Sequence, residues 1–137
     1  MIVVDTNVVS ELMRPSPSGR VRDWVASQPA RDLYTTAVTV AEVLYGIERL
    51  PQGRQAELRS LAMELFGGFA DQVLAFDAAA AVQYALVVSS RDGSGLPVDG
   101  FDAQIAAICR VHDAALVTRN VADFRETGIE VINPWDG

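Results

Sequence analysis

Three carboxylates stand where chemistry could be done. Asp5 directly follows the apolar run Ile2-Val3-Val4 and is trailed by two short polar residues, Thr6-Asn7. Glu42 lies in the segment after the β-like run 33–36, and Asp102 heads a helical stripe continued by Ile105, Ala106 and Cys109. Each has a structural reading too. Asp5 and Asp102 are at places where an aspartate caps a helix, satisfying free backbone N–H groups. Thr39-Val40-Ala41-Glu42 has the spacing of a capping box. Against capping, the apolar stripe 40/43/44/47 leaves Glu42 on another face, with Thr39 and Gly46 as neighbours and room for a ligand or a second chain. An aspartate heading a buried stripe is costly unless a hydrogen bond, cation or metal satisfies it. Asp99 reads mainly as turn chemistry.

A second polar set lies near the chain's end. Leu116-Val117-Thr118-Arg119-Asn120 is a strand running out into polar residues, with Asp123 close behind. Thr118 and Asn120 offer uncharged oxygens at that edge. Asp123 either reaches the same edge or caps a short helix. Asp5, Glu42 and Asp102 are each read as following neighbouring strands, so they are expected to converge. At about 5 Å and an effective dielectric near 20, each like-charged pair costs about 3 kcal/mol, which a marginally stable domain keeps only with a counter-charge. An all-oxygen ligand set favours Mg²⁺ or Mn²⁺ over zinc. The chemistry such a site does best is metal-assisted phosphodiester hydrolysis.

Composition removes competitors. The 137 residues, half of them hydrophobic and 21% charged, predict one compact domain, 1–137. All eleven basic residues are arginines, which excludes Schiff-base chemistry and a Walker-type phosphate loop. A single cysteine (Cys109) and a single histidine (His112) make neither a disulfide nor a zinc site. The pair Asp5/Asn7 is similar to the aspartate-x-aspartate signature of haloacid-dehalogenase-type phosphatases, but Asn7 cannot be their acid and their basic residue is missing. With 18 acidic against 11 basic residues, a net charge of −7 means that contact with nucleic acid must be local or metal-assisted. No signal peptide and no membrane span is read, and a cytoplasmic location is expected.

The positioning elements alternate. Short β-like runs at 2–4, 33–36, 73–76, 115–118 and 129–132 flank helical stripes at 21/24/25, 40/43/44/47, 58/61/62/65/66, 82/85/86 and 105/108/109/112, with a first helix over Thr6–Met13. This predicts a mostly parallel five-stranded sheet between two layers of helices, with ligands at the carboxyl ends of its strands.

Taken in order, Ile2-Val3-Val4-Asp5-Thr6-Asn7, Thr39-Val40-Ala41-Glu42-Val43-Leu44-Tyr45-Gly46-Ile47-Glu48, Phe101-Asp102-Ala103-Gln104-Ile105-Ala106-Ala107, Leu116 through Phe124 and Asn133-Pro134-Trp135 resemble PIN-domain ribonucleases. The resemblance is to the VapC-type, FitB-like toxins of type II toxin–antitoxin systems. It implies a three-layer α/β/α domain with strand order 3-2-1-4-5. It implies a Mg²⁺ site (Mn²⁺ as substitute) with Asp5 and Asp102 as ligands, Glu42 as third acid, and Thr6, Thr118, Asn120 and Asp123 in support. The family often has a fourth acid where this chain has Asn120. It further implies endonucleolytic cleavage of RNA, a VapB-like antitoxin, operator DNA bound only through that antitoxin, and a homodimer. Arg14 and Arg119 are candidates to meet RNA phosphates. Trp24 and Trp135 are read as core or dimer packing, and His112 as helix C-terminal structure.

Overall fold

The computed structural model describes residues 1–136. Five strands, β1 (Ile2–Val4), β2 (Leu33–Thr36), β3 (Val73–Leu74), β4 (Ala115–Val117) and β5 (Val131–Ile132), form one sheet in the order β3-β2-β1-β4-β5. All four pairings are parallel. Six helices flank it: α1 (Thr6–Leu12), α2 (Gly19–Ala26), α3 (Ala37–Glu48), α4 (Gln52–Gly67), α5 (Ala78–Gly93) and α6 (Gly100–His112). Fold class and strand order are those expected; the strands are shorter than their apolar runs by up to two residues.

Alternation explains the layering. Val3 and Leu116 face a core layer that includes Val87, Ile105 and Ile108, whereas Val4 and Val117 face the opposite layer with Val8, Val21 and Val43. A strand buried on both faces has no polar side to spare, so β1 and β4 read as continuous apolar runs. Helices on both faces cover these two layers. α5 and α6 pack antiparallel, Gln83 early in α5 accepting a hydrogen bond from Arg110 late in α6 at 2.9 Å, and Gly95, at φ +70°, turns the chain between them.

Two expectations are corrected. The helix holding Glu42 is capped by Thr36, whose hydroxyl accepts from the Thr39 backbone N–H at 3.0 Å. Glu42 is therefore a turn too far along to be a capping-box acid, and its carboxylate is released for other work. The stripe 82/85/86 faces outward: Val82 and Leu86 are 61% and 53% exposed, because α5 turns Ala80, Val87 and Arg91 inward instead.

Removing the observed cap separates the two readings of Glu42. Thr36→Ala is expected to cost about 1 kcal/mol in urea unfolding, while Glu42→Gln costs less than about half that. A larger loss from Glu42→Gln than from Thr36→Ala would restore the capping role.

Candidate active site at the carboxyl edge of the sheet

Asp5 continues β1 by one residue, its N–H donating to the Val117 carbonyl at 2.9 Å. It is only 3% exposed. Its Oδ1 accepts from the Thr6 backbone N–H at 2.8 Å, so it does cap α1. Its Oδ2 accepts from the Thr118 hydroxyl at 2.8 Å. That hydroxyl also receives the Asn7 side-chain amide at 3.0 Å and the Asn120 backbone N–H at 3.1 Å. Asn7 closes the mesh by accepting from the Arg119 backbone N–H at 3.1 Å. The ends of β1 and β4 are thus sewn together around one carboxylate. Burial still outweighs these bonds and raises the Asp5 pKa.

The other two acids arrive from opposite layers. Glu42, in the second turn of α3, accepts the Thr6 hydroxyl at 2.9 Å on Oε1, and burial raises its pKa. Asp102 does not follow a strand, contrary to expectation. It reaches the edge because α6 begins there after the α5–α6 turn. Asp99, read from the sequence as turn chemistry, is the N-cap of α6, its carboxylate accepting from the Phe101 and Asp102 N–H groups at 3.0 and 3.4 Å. Burial, then the charges of Asp5, Asp99, Asp123 and Glu42, push Asp102 up to about 7. Every cause acting on Asp102 raises it.

Asp5, Thr6, Asn7, Glu42, Asp102 and Asn120 line one cavity of about 500 Å³, with Ser10, Glu11 and Arg14 at its side. Among the described residues Arg14 is the only cation on its wall, and its guanidinium is exposed and turned to the Glu11 carboxylate at 3.4 Å. Among the sequence candidates, Thr118 sits beneath the cavity as the buried partner of Asp5. Asp123 is off the wall in an exposed 3-10 turn (Val121–Phe124), acting on Asp5 and Asp102 through its charge. Arg119 is exposed beside the mesh with its guanidinium over the Trp135 ring, 5.1 Å from the centroid. Trp24 and Trp135 are half-buried against the α1–α4 layer, and His112 ends α6. Sequence reasoning missed Asn7 as a linchpin. Its signal was a side-chain amide two residues past Asp5, just beyond a strand whose parallel neighbour is followed by the Thr118 hydroxyl.

Carboxylates with raised pKa values, beside an Arg14 that is turned to Glu11, form a negative hollow lined by oxygen, which suits a hard divalent ion. Among the described residues no three acidic, histidine or cysteine side chains stand close enough to enclose an ion by themselves. Mg²⁺ asks for less, taking one or two carboxylates and completing its shell with water.

The PIN domain family model matches residues 2–130. The chain belongs to the PIN domain family. It is 41% identical to the plasmid stability protein StbB of Pseudomonas syringae pv. tomato, over 99% of each chain. It is 36% identical to the VapC ribonuclease Y4jK of Sinorhizobium fredii, again over 99% of each. The crystal structure of FitAcB from Neisseria gonorrhoeae superposes with a TM-score of 0.90 at 35% identity, covering 98% of this chain and 99% of that one. FitAB bound to the IR36 DNA fragment gives 0.89 at 34%, covering 98% and 96%. Among the described residues no helix is long and apolar enough to cross a membrane.

The Asp102 shift has a sign that can be tested. The folded chain binds this proton more tightly than the unfolded one. The metal-free fold therefore keeps the associated stability at low pH and loses it as pH rises through about 7. Denaturant midpoints measured without divalent ions should be higher near pH 5 than near pH 8, and Asp102→Asn should shrink that difference. An unchanged difference in the variant would refute the electrostatic account of this carboxylate.

Proposed function

We propose that the chain, read as a single PIN domain, is a Mg²⁺-dependent endoribonuclease, the toxin of a type II toxin–antitoxin pair. The observation that carries the reading is the shared cavity: three carboxylates with raised pKa values, brought together from three elements in a PIN-family chain. Its similarity to a protein named as a VapC ribonuclease supports the activity, and the FitAB–DNA structure supports a VapB-like antitoxin that carries the complex to operator DNA.

The division of labour follows from the hydrogen bonds. Asp5 and Asp102 would hold Mg²⁺, with Mn²⁺ as a substitute. The bound cation supplies charge neutralisation at a phosphodiester and raises the acidity of water. Thr118 and the Thr6 N–H fix the Asp5 carboxylate, so it enters the reaction with its geometry already set. Thr6 occupies one oxygen of Glu42 and leaves the other to take a proton from the attacking water; its raised pKa makes it a stronger base than a solvated carboxylate. Asn120 offers a neutral oxygen where a fourth acid would add charge. Arg14 and Arg119 flank the cavity as contacts for RNA phosphates.

The partners have surfaces that suit them. An apolar groove of about 310 Å³ shares Thr6, Ser10, Arg14 and Glu42 with the acid cavity and runs on past Met13, Val43, Ile47 and Leu58. An antitoxin tail with apolar anchors lies there in our reading. The outer face of α5 exposes Ala78, Ala79, Ala81, Val82, Ala85, Leu86, Ser89 and Ser90 without a charge among them, which suits a homodimer contact.

Purified wild-type chain is expected to cut RNA only with Mg²⁺ or Mn²⁺ added. Asp5→Ala and Asp102→Asn should each lower the rate at least about 10³-fold while far-ultraviolet circular dichroism is retained, and Glu42→Gln should lower kcat by about 10²-fold or more. Cleavage at the wild-type rate by both aspartate variants would sink the assignment, as would turnover that survives EDTA.

A further inference from the structure

Arg91 is a buried cation that the acidic site does not account for. It is 5% exposed, near the end of α5. Among the described residues no carboxylate pairs with it. Its whole fork is given to backbone carbonyls: Nε donates to Leu96 at 2.7 Å, Nη2 to Pro97 at 3.3 Å and Nη1 to Arg125 at 2.6 Å. Burying a guanidinium without an anion is costly, and the fixed plane of its donors dictates where the accepting carbonyls lie.

The three carbonyls belong to the two segments that bring acids to the site from the β4 side. Leu96 and Pro97 lie in the α5–α6 connection, just before Asp99, whose carboxylate caps α6 and holds the N–H of Asp102. Arg125 closes the 3-10 turn that opens after Asn120 and carries Asp123. One side chain therefore pins both segments to the same point on α5. Asp5 is fixed by β1 and β4, and Glu42 by α3. Asp102 stands in the first turn of α6, directly after the connection whose Leu96 and Pro97 carbonyls Arg91 ties down.

We propose that Arg91 is a positioning residue for the acidic site: it fixes the 96–99 connection and the 121–125 turn so that Asp102 is held ready for a divalent cation. The proposal rests on the reading of that site as a cation-dependent nuclease centre. It works through geometry rather than charge. Burial and neighbouring carboxylates set the Asp102 proton affinity, and no cation lowers it. A lysine at 91 keeps the charge but loses the planar fork, so it should not rescue.

The test is Mn²⁺ binding by isothermal titration calorimetry to the wild-type chain, Arg91→Lys and Val21→Ala. Val21 is fully buried in the other core layer, so its variant controls for lost stability as such. Arg91→Lys is expected to weaken Mn²⁺ affinity about 10-fold or more, while Val21→Ala stays within about twofold of wild type. Wild-type affinity in Arg91→Lys, or an equal loss in Val21→Ala, overturns the proposal and leaves the nuclease reading standing. A wild-type chain that binds no Mn²⁺ overturns both. Hydrogen exchange on the metal-free wild type gives a reading that needs no variant to fold. The amides of Phe101, Asp102, Ala103, Asp123 and Arg125, each with an acceptor in the structure, should already be protected, and fast exchange there that Mn²⁺ suppresses would show that the ion, not Arg91, orders them.

Discussion

Everything at the carboxyl edge depends on holding mutually repelling carboxylates close together in a poorly solvated hollow. Left to themselves, Asp5, Glu42 and Asp102 would swing apart or take up protons, and their raised pKa values record that tendency. What opposes it is a set of neutral donors: the Thr118 hydroxyl and Thr6 N–H on Asp5, and the Thr6 hydroxyl on Glu42. Neutral donors orient a carboxylate without cancelling its charge. A lysine or arginine in their place would satisfy the acids fully and leave no demand for an external cation. The hollow is built to stay unsatisfied.

That choice puts a burden on the rest of the fold. A cluster that weakens the folded state must be carried by elements with no weakness of their own. The two strands that meet at Asp5 meet this need, since Val3, Val4, Leu116 and Val117 are all essentially removed from solvent. Both sheet faces are covered, so the edge cannot relax without tearing strands from two core layers. The connection that leads into α6 is largely exposed and has no such depth behind it. There Arg91 holds the Leu96 and Pro97 carbonyls, and the buried face of α6 takes over from Ala103, just beyond Asp102.

How much of this was legible depended on what kind of physics wrote it. Apolar runs and helical stripes report burial, and they placed the five strands and the first polar residue after β1. The residue types at Asp5, Thr6, Glu42, Asp102 and Asn120 were enough to gather them in one cavity on paper. What spacing could not convey was which of several equivalent threonines does the capping. Thr36 and Thr39 both sit near the start of α3, and only the point where β2 ends selects Thr36 and so frees Glu42. Nor does a stripe say which side of it is buried. Val82 and Leu86 keep helical spacing but point away from the core, because alanine at 80 lets α5 approach the sheet on the other face. Arg91 was invisible for a similar reason: its partners are backbone carbonyls, which carry no residue signature.

The net charge of −7 also changes meaning once the site is placed. Spread evenly, it would repel RNA from the whole surface. In the fold, part of it is drawn into the cavity by Asp5, Glu42 and Asp102, with Asp99 and Asp123 close enough to act on them. On the proposed reading, a bound divalent ion would offset part of that charge just where a phosphodiester must approach, while the remaining acidic surface still repels polyanions elsewhere. Affinity for RNA would then be conditional on the ion, with Arg14 and Arg119 as the proposed phosphate contacts. The same acidity that weakens general binding of polyanions would then favour only RNA that reaches the proposed metal site.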